Sequence, residues 1–485
     1  MTDFNSKVKE APTGSPFLVA QVCLVASLGG VLFGFDTAVI SGTISMVEAQ
    51  FELDKMEVGW FGSSALIGAI IGSMIAGSLG DRYGRKSILI VSAVLFFLSA
   101  LGSALPSSFS LLIAARLVGG FGIGIASVLA PLYISEFSPA NIRGRLVALY
   151  QMSIVIGILL AYFSNWGVLN YAQANPDGFG GSGIFYRIMV SEVWRAMFGT
   201  EVVPALLFFL LLWTIPESPR WLVKEGNTNV ALRILERING KPKANTELKN
   251  ILAALSKKGG SLKELAKPGF KKALIAGLGL SIFGQFTGVN IIVYYGPDIL
   301  RDAGLNFDGA LKFQVAIGLI NLVFTALALW KIDSWGRRPL LIWGMLSVCI
   351  SLIVIGVFFS IPSISSIWIV VMLCIYMASL AFSINAVIWV LLGELYPTRI
   401  RGRAMSIVTF ANWGANFVTA FLFPWFVSVI GMNAGFFVFA GFCFIATVFF
   451  YKMIPETKAK TLEEIEEHWR GEGLKTAETT NKVRQ

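Results

Sequence analysis

The sequence predicts an all-α membrane protein of about twelve spanning helices, arranged as two six-helix halves. Three observations predict this fold. The chain of 485 residues is 55% hydrophobic and only 14% charged, with a mean hydropathy of +0.71, whereas soluble domains carry roughly 25% charged residues. Its apolar runs approach or exceed the roughly 20 residues that a spanning helix needs. Short motifs of the first half also recur, in the same order, in the second half.

Each predicted span is an apolar run bounded by polar or basic residues. The runs cover approximately residues 17–42, 57–79, 87–105, 110–134, 146–166, 196–215, 273–295, 312–331, 339–360, 366–393, 404–425 and 431–453. Residues 1–16 are polar, and the first run already contains Asp36. We therefore expect this run to remain in the protein as its first helix rather than to act as a cleaved leader.

The basic residues predict the orientation. Nearly all of the 39 Lys and Arg residues fall in the tails and in alternate loops. The opposite side has only Lys55, Arg187, Arg195, Arg301 and Lys312. Cytoplasmic loops carry the excess of Lys and Arg, so both termini are predicted to lie in the cytoplasm, with the protein in a cell membrane, as in a bacterial inner membrane.

The loops divide the chain into five segments. These are a cytoplasmic tail at 1–16, a six-helix half at 17–215, a cytoplasmic linker at 216–272, a second six-helix half at 273–453 and a cytoplasmic tail at 454–485. The Lys-rich linker has weak helical periodicity and is expected to carry short amphipathic helices. Turn signals mark an outer loop at 167–195, and a capping pattern predicts a short helix at 461–470.

Composition excludes several classes of protein. The net charge of +10 reflects basic loops and not a nucleic-acid surface. The four cysteines lie inside apolar runs, a pattern that indicates neither a disulfide framework nor a metal site. The only histidine is His468, in the polar tail. We find no combination of nucleophile, base and metal ligands, and no phosphate-binding Walker sequence, so we expect neither an enzyme nor a protein with a cofactor.

An internal repeat relates the two halves. Asp81 and Arg85 after the second span correspond to Asp333 and Arg337 after the eighth. The other recurring pairs are Glu136…Arg143-Gly144-Arg145 with Glu394…Arg401-Gly402-Arg403, and Pro216-Glu217-Ser218 with Pro455-Glu456-Thr457. Duplicated halves with a site between them are typical of secondary transporters.

These motifs, with Pro216-Glu217-Ser218-Pro219-Arg220 and the run from Gln285 through Gly288-Val289-Asn290 to Tyr294-Tyr295, resemble those of the sugar porter family of the major facilitator superfamily. The similarity extends from about residue 17 to 460 and is greatest to bacterial proton-coupled pentose and hexose symporters. It implies the major facilitator fold and transport of a sugar.

A carboxylate within a span is costly and is by default a functional hypothesis. Asp36 lies near the outer end of the first span, and Arg116 of the fourth is its expected partner. Desolvation favours the neutral form of such a carboxylate, whereas an ion pair favours its charged form, so the group can take up and release a proton. The resemblance likewise implies that Asp36 is the proton-coupling residue. The alternative is a fixed pair that only joins two helices.

Side-chain amides suit a sugar because they both donate and accept hydrogen bonds without a buried charge. The midspan amides are Gln151, Gln285, Asn290, Asn321, Asn412 and Asn416, and nearby aromatic residues include Phe33, Tyr294, Tyr295, Trp389 and Trp413. The resemblance implies sugar contacts by Gln151, Gln285, Asn290, Asn321, Trp389 and Asn412, and we add Phe33 and Tyr294. The alternative role of a midspan amide is to join helices, and we expect packing from Trp413.

The loop charges resemble the family's cytoplasmic gate network, which can hold the two halves together in one state and release them in another. The alternative is that these charges only set the orientation of the chain in the membrane. The acidic members argue against it, since acidic residues contribute little to orientation. The network comprises Asp81, Arg85, Glu136, Arg145, Glu201 and Glu217, with Asp333, Arg337, Glu394, Arg403 and Glu456 in the second half.

The chain departs from the family pattern at three places. Gly284 stands where many sugar porters have the first of two glutamines, and Asn412 stands where the xylose symporters have glutamine. Asn385-Ala386 replaces the usual Gly-Pro pair of the tenth span. Because such a pair softens a helix, its absence argues against a hinge there. The resemblance therefore does not identify xylose as the substrate.

The sequence thus predicts a monomeric importer that couples a sugar to protons in the lipid bilayer. A passive sugar uniporter, a membrane sugar sensor and a transporter of polyols such as inositol are the alternatives.

Overall fold

A computed structural model of the protein describes residues 15–139, 142–255, 265, 268–396, 400–458, 460, 464–465 and 469. Within these residues, twelve helices are long and apolar enough to cross a membrane. They are Pro16–Gly42, Lys55–Tyr83, Arg85–Ala104, Phe109–Phe137, Arg143–Ala174, Val193–Leu212, Phe270–Asp302, Phe307–Trp335, Arg337–Phe359, Ser366–Leu395, Arg401–Ile430 and Met432–Met453. The predicted all-α fold with twelve spans is confirmed.

The packing of the spans follows the sequence repeat. In the first half, the first span packs on the fifth and the second on the fourth. The equivalent pairs in the second half are the seventh with the eleventh and the eighth with the tenth. The halves meet mainly where the second span packs on the eleventh and the fifth on the eighth. A site between the halves is therefore bordered by helices from both.

Three of the spans that the structure describes are interrupted. The sixth consists of Val193–Gly199 and Val202–Leu212, with Thr200 and Glu201 between them, and the other two lie in the second half. The seventh consists of Pro268–Gln285 and Val289–Asp302, and Gly288 between them has a φ of +83°. The tenth consists of Ser366–Phe382 and Ile384–Leu395, separated by Ser383. Irregular backbone at membrane depth is tolerated where it is buried in protein or borders a cavity. The absence of a Gly-Pro pair argued against a hinge in the tenth span, yet the structure shows a break there.

The outer loop predicted at 167–195 is shorter than expected. The fifth span continues to Ala174 because Leu169 and Ala172 are buried against the protein, so the prediction was wrong for residues 167–174.

The end of the outer loop, just before the sixth span, is anchored by Glu192. Burial alone raises the pKa of Glu192, but hydrogen bonds from Arg187, Gln50 and Arg195 lower it to about 2.

In residues 216–255, the continuously described part of the linker, there are three helices, Pro219–Lys224, Thr228–Asn239 and Lys241–Leu255. The middle helix buries Ala231, Ile234, Leu235 and Ile238 along one face. Most of the short helix predicted at 461–470 and most of the N-terminal tail lie outside the described residues, although Glu464, Ile465 and Trp469 are described and helical.

All four cysteines are free thiols. Cys23, Cys349 and Cys443 are buried, and Cys374 is half-buried in the tenth span.

Candidate functional site

The structure brings Asp36 and Arg116 together as a buried ion pair. Asp36 is completely buried, and Arg116 is only 2% exposed. One terminal nitrogen of Arg116 donates to Asp36 Oδ1, and the other donates to the main-chain oxygen of Asp36 at 3.2 Å. The guanidinium carbon also lies 5.4 Å from the centre of the Phe198 ring. Charge, hydrogen bonds and packing together fix this arginine.

A second carboxylate belongs to this site. Glu201 was predicted to act with the loop charges, but it is 1% exposed in the sixth span and interacts electrostatically with both Asp36 and Arg116. That prediction was wrong. The available signal was the one that identified Asp36, a carboxylate inside an apolar run.

The cluster has an excess of proton acceptors. Asp36 Oδ2 and Glu201 Oε1 are buried without a hydrogen-bond partner among the described residues. Two carboxylates that interact with one guanidinium leave one surplus negative charge when both are ionised. Because an unpaired charge is costly in a desolvated site, the cluster is suited to hold one proton.

The second half contributes a chain of amides. Asn290 Nδ2 donates to Gln285 Oε1 at 2.6 Å, and Gln285 Nε2 donates to Asn412 Oδ1 at 2.9 Å. The break around Gly288 brings Gln285 and Asn290 to hydrogen-bonding distance although they lie on different helical segments. The three amides retain further donors and acceptors, which is the requirement for binding a molecule with several hydroxyl groups.

Aromatic residues border the amide chain. Tyr294 is 2% exposed and accepts a hydrogen bond from Asn416 Nδ2 at 3.2 Å. The ring centres of Phe33 and Trp413 lie 5.5 Å apart, so a residue of the first half contacts the residue that follows Asn412. Trp413 is 5% exposed, which agrees with a packing role.

The other predicted contacts come from three further spans. Gln151 is half-buried in the fifth span, and Asn321 is buried in the eighth, where Thr325 Oγ1 donates to it at 3.4 Å. Trp389 of the tenth span is 39% exposed.

Gly284 gives the amide chain an apolar neighbour. A Cβ placed on this buried glycine would lie 3.2 Å from Ile388 Cδ1 and 3.6 Å from Ile384 Cγ1. The side of the seventh span next to Gln285 therefore faces two branched aliphatic side chains of the tenth span.

The two halves are closely packed at the end opposite to the repeated loop motifs. A Cβ on Gly59 would lie only 1.9 Å from the main-chain oxygen of Phe421, and a Cβ on Gly62 would lie 2.3 Å from the Tyr295 hydroxyl. The Tyr162 hydroxyl of the first half also donates to the carbonyl of Val293 at 3.3 Å. The absence of a side chain at Gly59 is thus what allows the second and eleventh spans to close at this end.

The loop motifs form two matching clusters, one in each half. In the first, Arg85 pairs with Asp81 at 2.8 Å and with Glu136 at 3.3 Å, while Glu217 accepts the backbone N–H groups of Arg85 and Lys86. A carboxylate at this position stabilises the N-terminus of the third span.

The second cluster repeats this geometry. Arg337 pairs with Asp333 at 2.9 Å and with Glu394 at 3.2 Å, and Glu456 accepts the N–H groups of Arg337 and Arg338. These ion pairs lie within one half and not between halves. Arg145 and Arg403, also assigned to this network, are exposed.

Comparison with known proteins agrees with this arrangement. A sequence model described as "Sugar (and other) transporter" matches residues 22–469. The chain is 39% identical over 469 residues to the arabinose-proton symporter of Bacillus subtilis, covering 96% of this chain and 98% of that protein. It is 37% identical over 499 residues to the D-xylose-proton symporter of Escherichia coli K12, covering 95% and 98%. Among solved structures, the partially occluded inward open form of the E. coli xylose transporter XylE matches with a TM-score of 0.79 and 34% identity, covering 92% of this chain and 100% of that one.

Proposed function

The chain belongs to the sugar transporter family, has the major facilitator fold and is a multi-pass membrane transporter rather than an enzyme, and we propose that it imports a monosaccharide together with protons. The observation that carries this proposal is the buried cluster of Asp36, Glu201 and Arg116. Two carboxylates around one guanidinium provide a site whose charge balance changes when a proton binds.

The transport cycle follows from the two sites. With the end opposite to the loop motifs open, a proton binds the cluster and weakens the hold of Asp36 on Arg116. Sugar then binds to Gln285, Asn290 and Asn412, with Phe33 and Tyr294 beside it. The Phe33–Trp413 contact joins the two halves next to this amide chain, so occupation of the site favours closure above it. Sugar and proton leave at the loop-motif end.

The orientation of this cycle rests on loop charge. The loop-motif end carries most Lys and Arg residues, which supports a cytoplasmic location for it. The tight contacts of Gly59 and Gly62 then close the outer side, and the protein faces inward. Gln151, Asn321 and Trp389 complete the sugar site from the other spans, and the protein acts as a monomer in a cell membrane.

The loop clusters have a second role in this proposal. Arg85 and Arg337 hold the ends of their own halves rigid in the inward-facing state. When the protein faces outward, the exposed Arg145 and Arg403 approach the opposite half and close the cytoplasmic side.

A sugar panel tests this function directly. Purified protein in proteoliposomes is assayed for uptake of pentoses, hexoses and polyols, alongside Gln285→Ala and the control Gln21→Ala, whose side chain bonds Thr214 away from the amide chain. Losing hydrogen bonds worth about 1–3 kcal/mol should weaken sugar competition about 5- to 150-fold in Gln285→Ala only. Unchanged competition would remove Gln285 from the site, and no uptake of any compound would refute sugar transport.

A further inference from the structure

The tenth span breaks at a residue that carries neither of the usual helix breakers. Ser383 has φ −117° and ψ −103°, whereas the residues on both sides are helical. The span Ser366–Leu395 contains no proline, and its only glycine is Gly393, ten residues beyond the break. Sharp kinks without proline arise where a side chain enters the backbone hydrogen-bond ladder.

The Ser383 hydroxyl enters the ladder in this way. Its backbone N–H donates to the carbonyl of Leu380 at 3.2 Å, one residue short of the normal helical partner. The normal partner is the carbonyl of Ser379, and Ser383 Oγ donates to that oxygen at 2.6 Å instead. The side chain thus satisfies the carbonyl that the break leaves free. The second segment then starts with Val387 N–H donating to Ser383 O at 3.0 Å.

Gly344 of the ninth span holds this break in place. A Cβ on Gly344 would lie 2.0 Å from Ser383 Cβ and 2.6 Å from Ser383 Oγ. Ser383 therefore occupies the space that any side chain at position 344 would need. One turn away, the hydroxyls of Ser347 and Ser379 lie 2.7 Å apart and join the same two spans.

We propose that Gly344 and Ser383 are positioning residues that set the angle of the segment Ile384–Leu395 and thereby place Trp389 at the sugar site. This inference rests on the proposed sugar site and adds two residues that do not touch the sugar. Trp389 lies less than two turns beyond Ser383, so a shift of the serine is transmitted directly to it through a continuous helix.

A size exchange between the two residues provides the test. In Gly344→Ala, the new methyl group and Ser383 must separate by about 1.4 Å to reach ordinary contact. In the double variant Gly344→Ala with Ser383→Gly, the Cβ has moved from one helix to the other, and the nearest remaining Ser383 atom, Cα, lies 3.3 Å from the added methyl. Gly393→Ala is the matched control on the same span, since a Cβ there has no neighbour within 4 Å.

Sugar exchange in proteoliposomes is measured over a range of concentrations for all four proteins. Gly344→Ala should raise the half-saturating sugar concentration at least tenfold, the double variant should return it to within threefold of the wild type, and Gly393→Ala should leave it unchanged. An unaltered half-saturating concentration in Gly344→Ala, or no recovery in the double variant, would overturn the inference.

Two further readouts separate the causes of failure. Wild-type exchange in the same experiment tests the proposed sugar function, independently of the variants. If Gly344→Ala does not yield folded protein, the monodispersity and melting temperature of the double variant decide the matter: recovery of both supports the contact, and failure to recover them refutes it.

Discussion

Replacing Asp36 by Asn should uncouple sugar movement from the proton while sparing the fold. Asn has nearly the same shape as Asp but cannot take up the proton. Breaking a buried ion pair normally costs about 3–5 kcal/mol because a charge is left unpaired. Here Glu201 also interacts with Arg116 and can replace Asp36 as its partner. We therefore expect a loss of about 3 kcal/mol or less, and folded protein.

The expected effect on transport can be calculated. Moving one elementary charge through a membrane potential of 100 mV supplies about 2.3 kcal/mol, and about 1.4 kcal/mol corresponds to a factor of ten. One proton per sugar thus sustains about 40-fold accumulation. If Glu201 carried a second proton, the limit would be about 2,000-fold. Asp36→Asn should accumulate no sugar but still exchange it between the two sides.

The assay is uptake of labelled sugar into proteoliposomes with an imposed potential of 100 mV, negative inside, and no pH gradient. Asp177→Asn, a change at an exposed loop residue, is the matched control and should accumulate sugar as the wild type does. Accumulation by Asp36→Asn equal to that of Asp177→Asn would refute the reasoning. Loss of both accumulation and exchange would instead assign Asp36 a structural role.

Two further predictions concern the outer end. Gly59→Val should lower the uptake rate at least tenfold while leaving sugar binding within about threefold, because the added side chain prevents the second and eleventh spans from closing. The control is Gly167→Val, at an exposed glycine with no neighbour within 4 Å, and it should change neither the uptake rate nor sugar binding. Equal uptake by the two variants would contradict the proposed closure. The lowered pKa of Glu192, about 2 against an ordinary 4.5, means that its contribution to stability is complete above pH 4.5 and is lost as the pH falls towards 2. The difference in melting temperature between wild type and Glu192→Gln should therefore be constant from pH 7 to 5 and shrink below pH 4.5, and a difference that is undiminished at pH 3 would count against the assigned hydrogen bonds.

The sequence predicted the spans well because hydropathy depends on the residues themselves. It predicted the Asp36–Arg116 pair for the same reason, since a charge inside an apolar run needs a partner wherever the helices place it. Glu201 carried the same signal, yet its position near a predicted span boundary obscured it. Only the fold shows that Glu201 interacts with Asp36 of the first span and Arg116 of the fourth.

The break in the tenth span could not have been predicted from local composition. Serine is no strong helix breaker by itself, and here its effect depends on Gly344, almost 40 residues earlier in the chain. The hydrogen bonds between Gln285, Asn290 and Asn412 likewise depend on the contact of the seventh and eleventh spans. Sequence could name these amides as candidates, but their mutual distances required the fold.

The placement of the four cysteines has a practical consequence for following the protein's motion. Maleimides and spin labels react with the thiolate, whose formation apolar surroundings disfavour. Cys23, Cys349 and Cys443 are buried, and Cys374 is half-buried in a lipid-crossing helix. The natural chain can therefore serve as a low-background host for a single introduced cysteine, so that reporter groups can be attached at either end of the bundle without first replacing residues of the core.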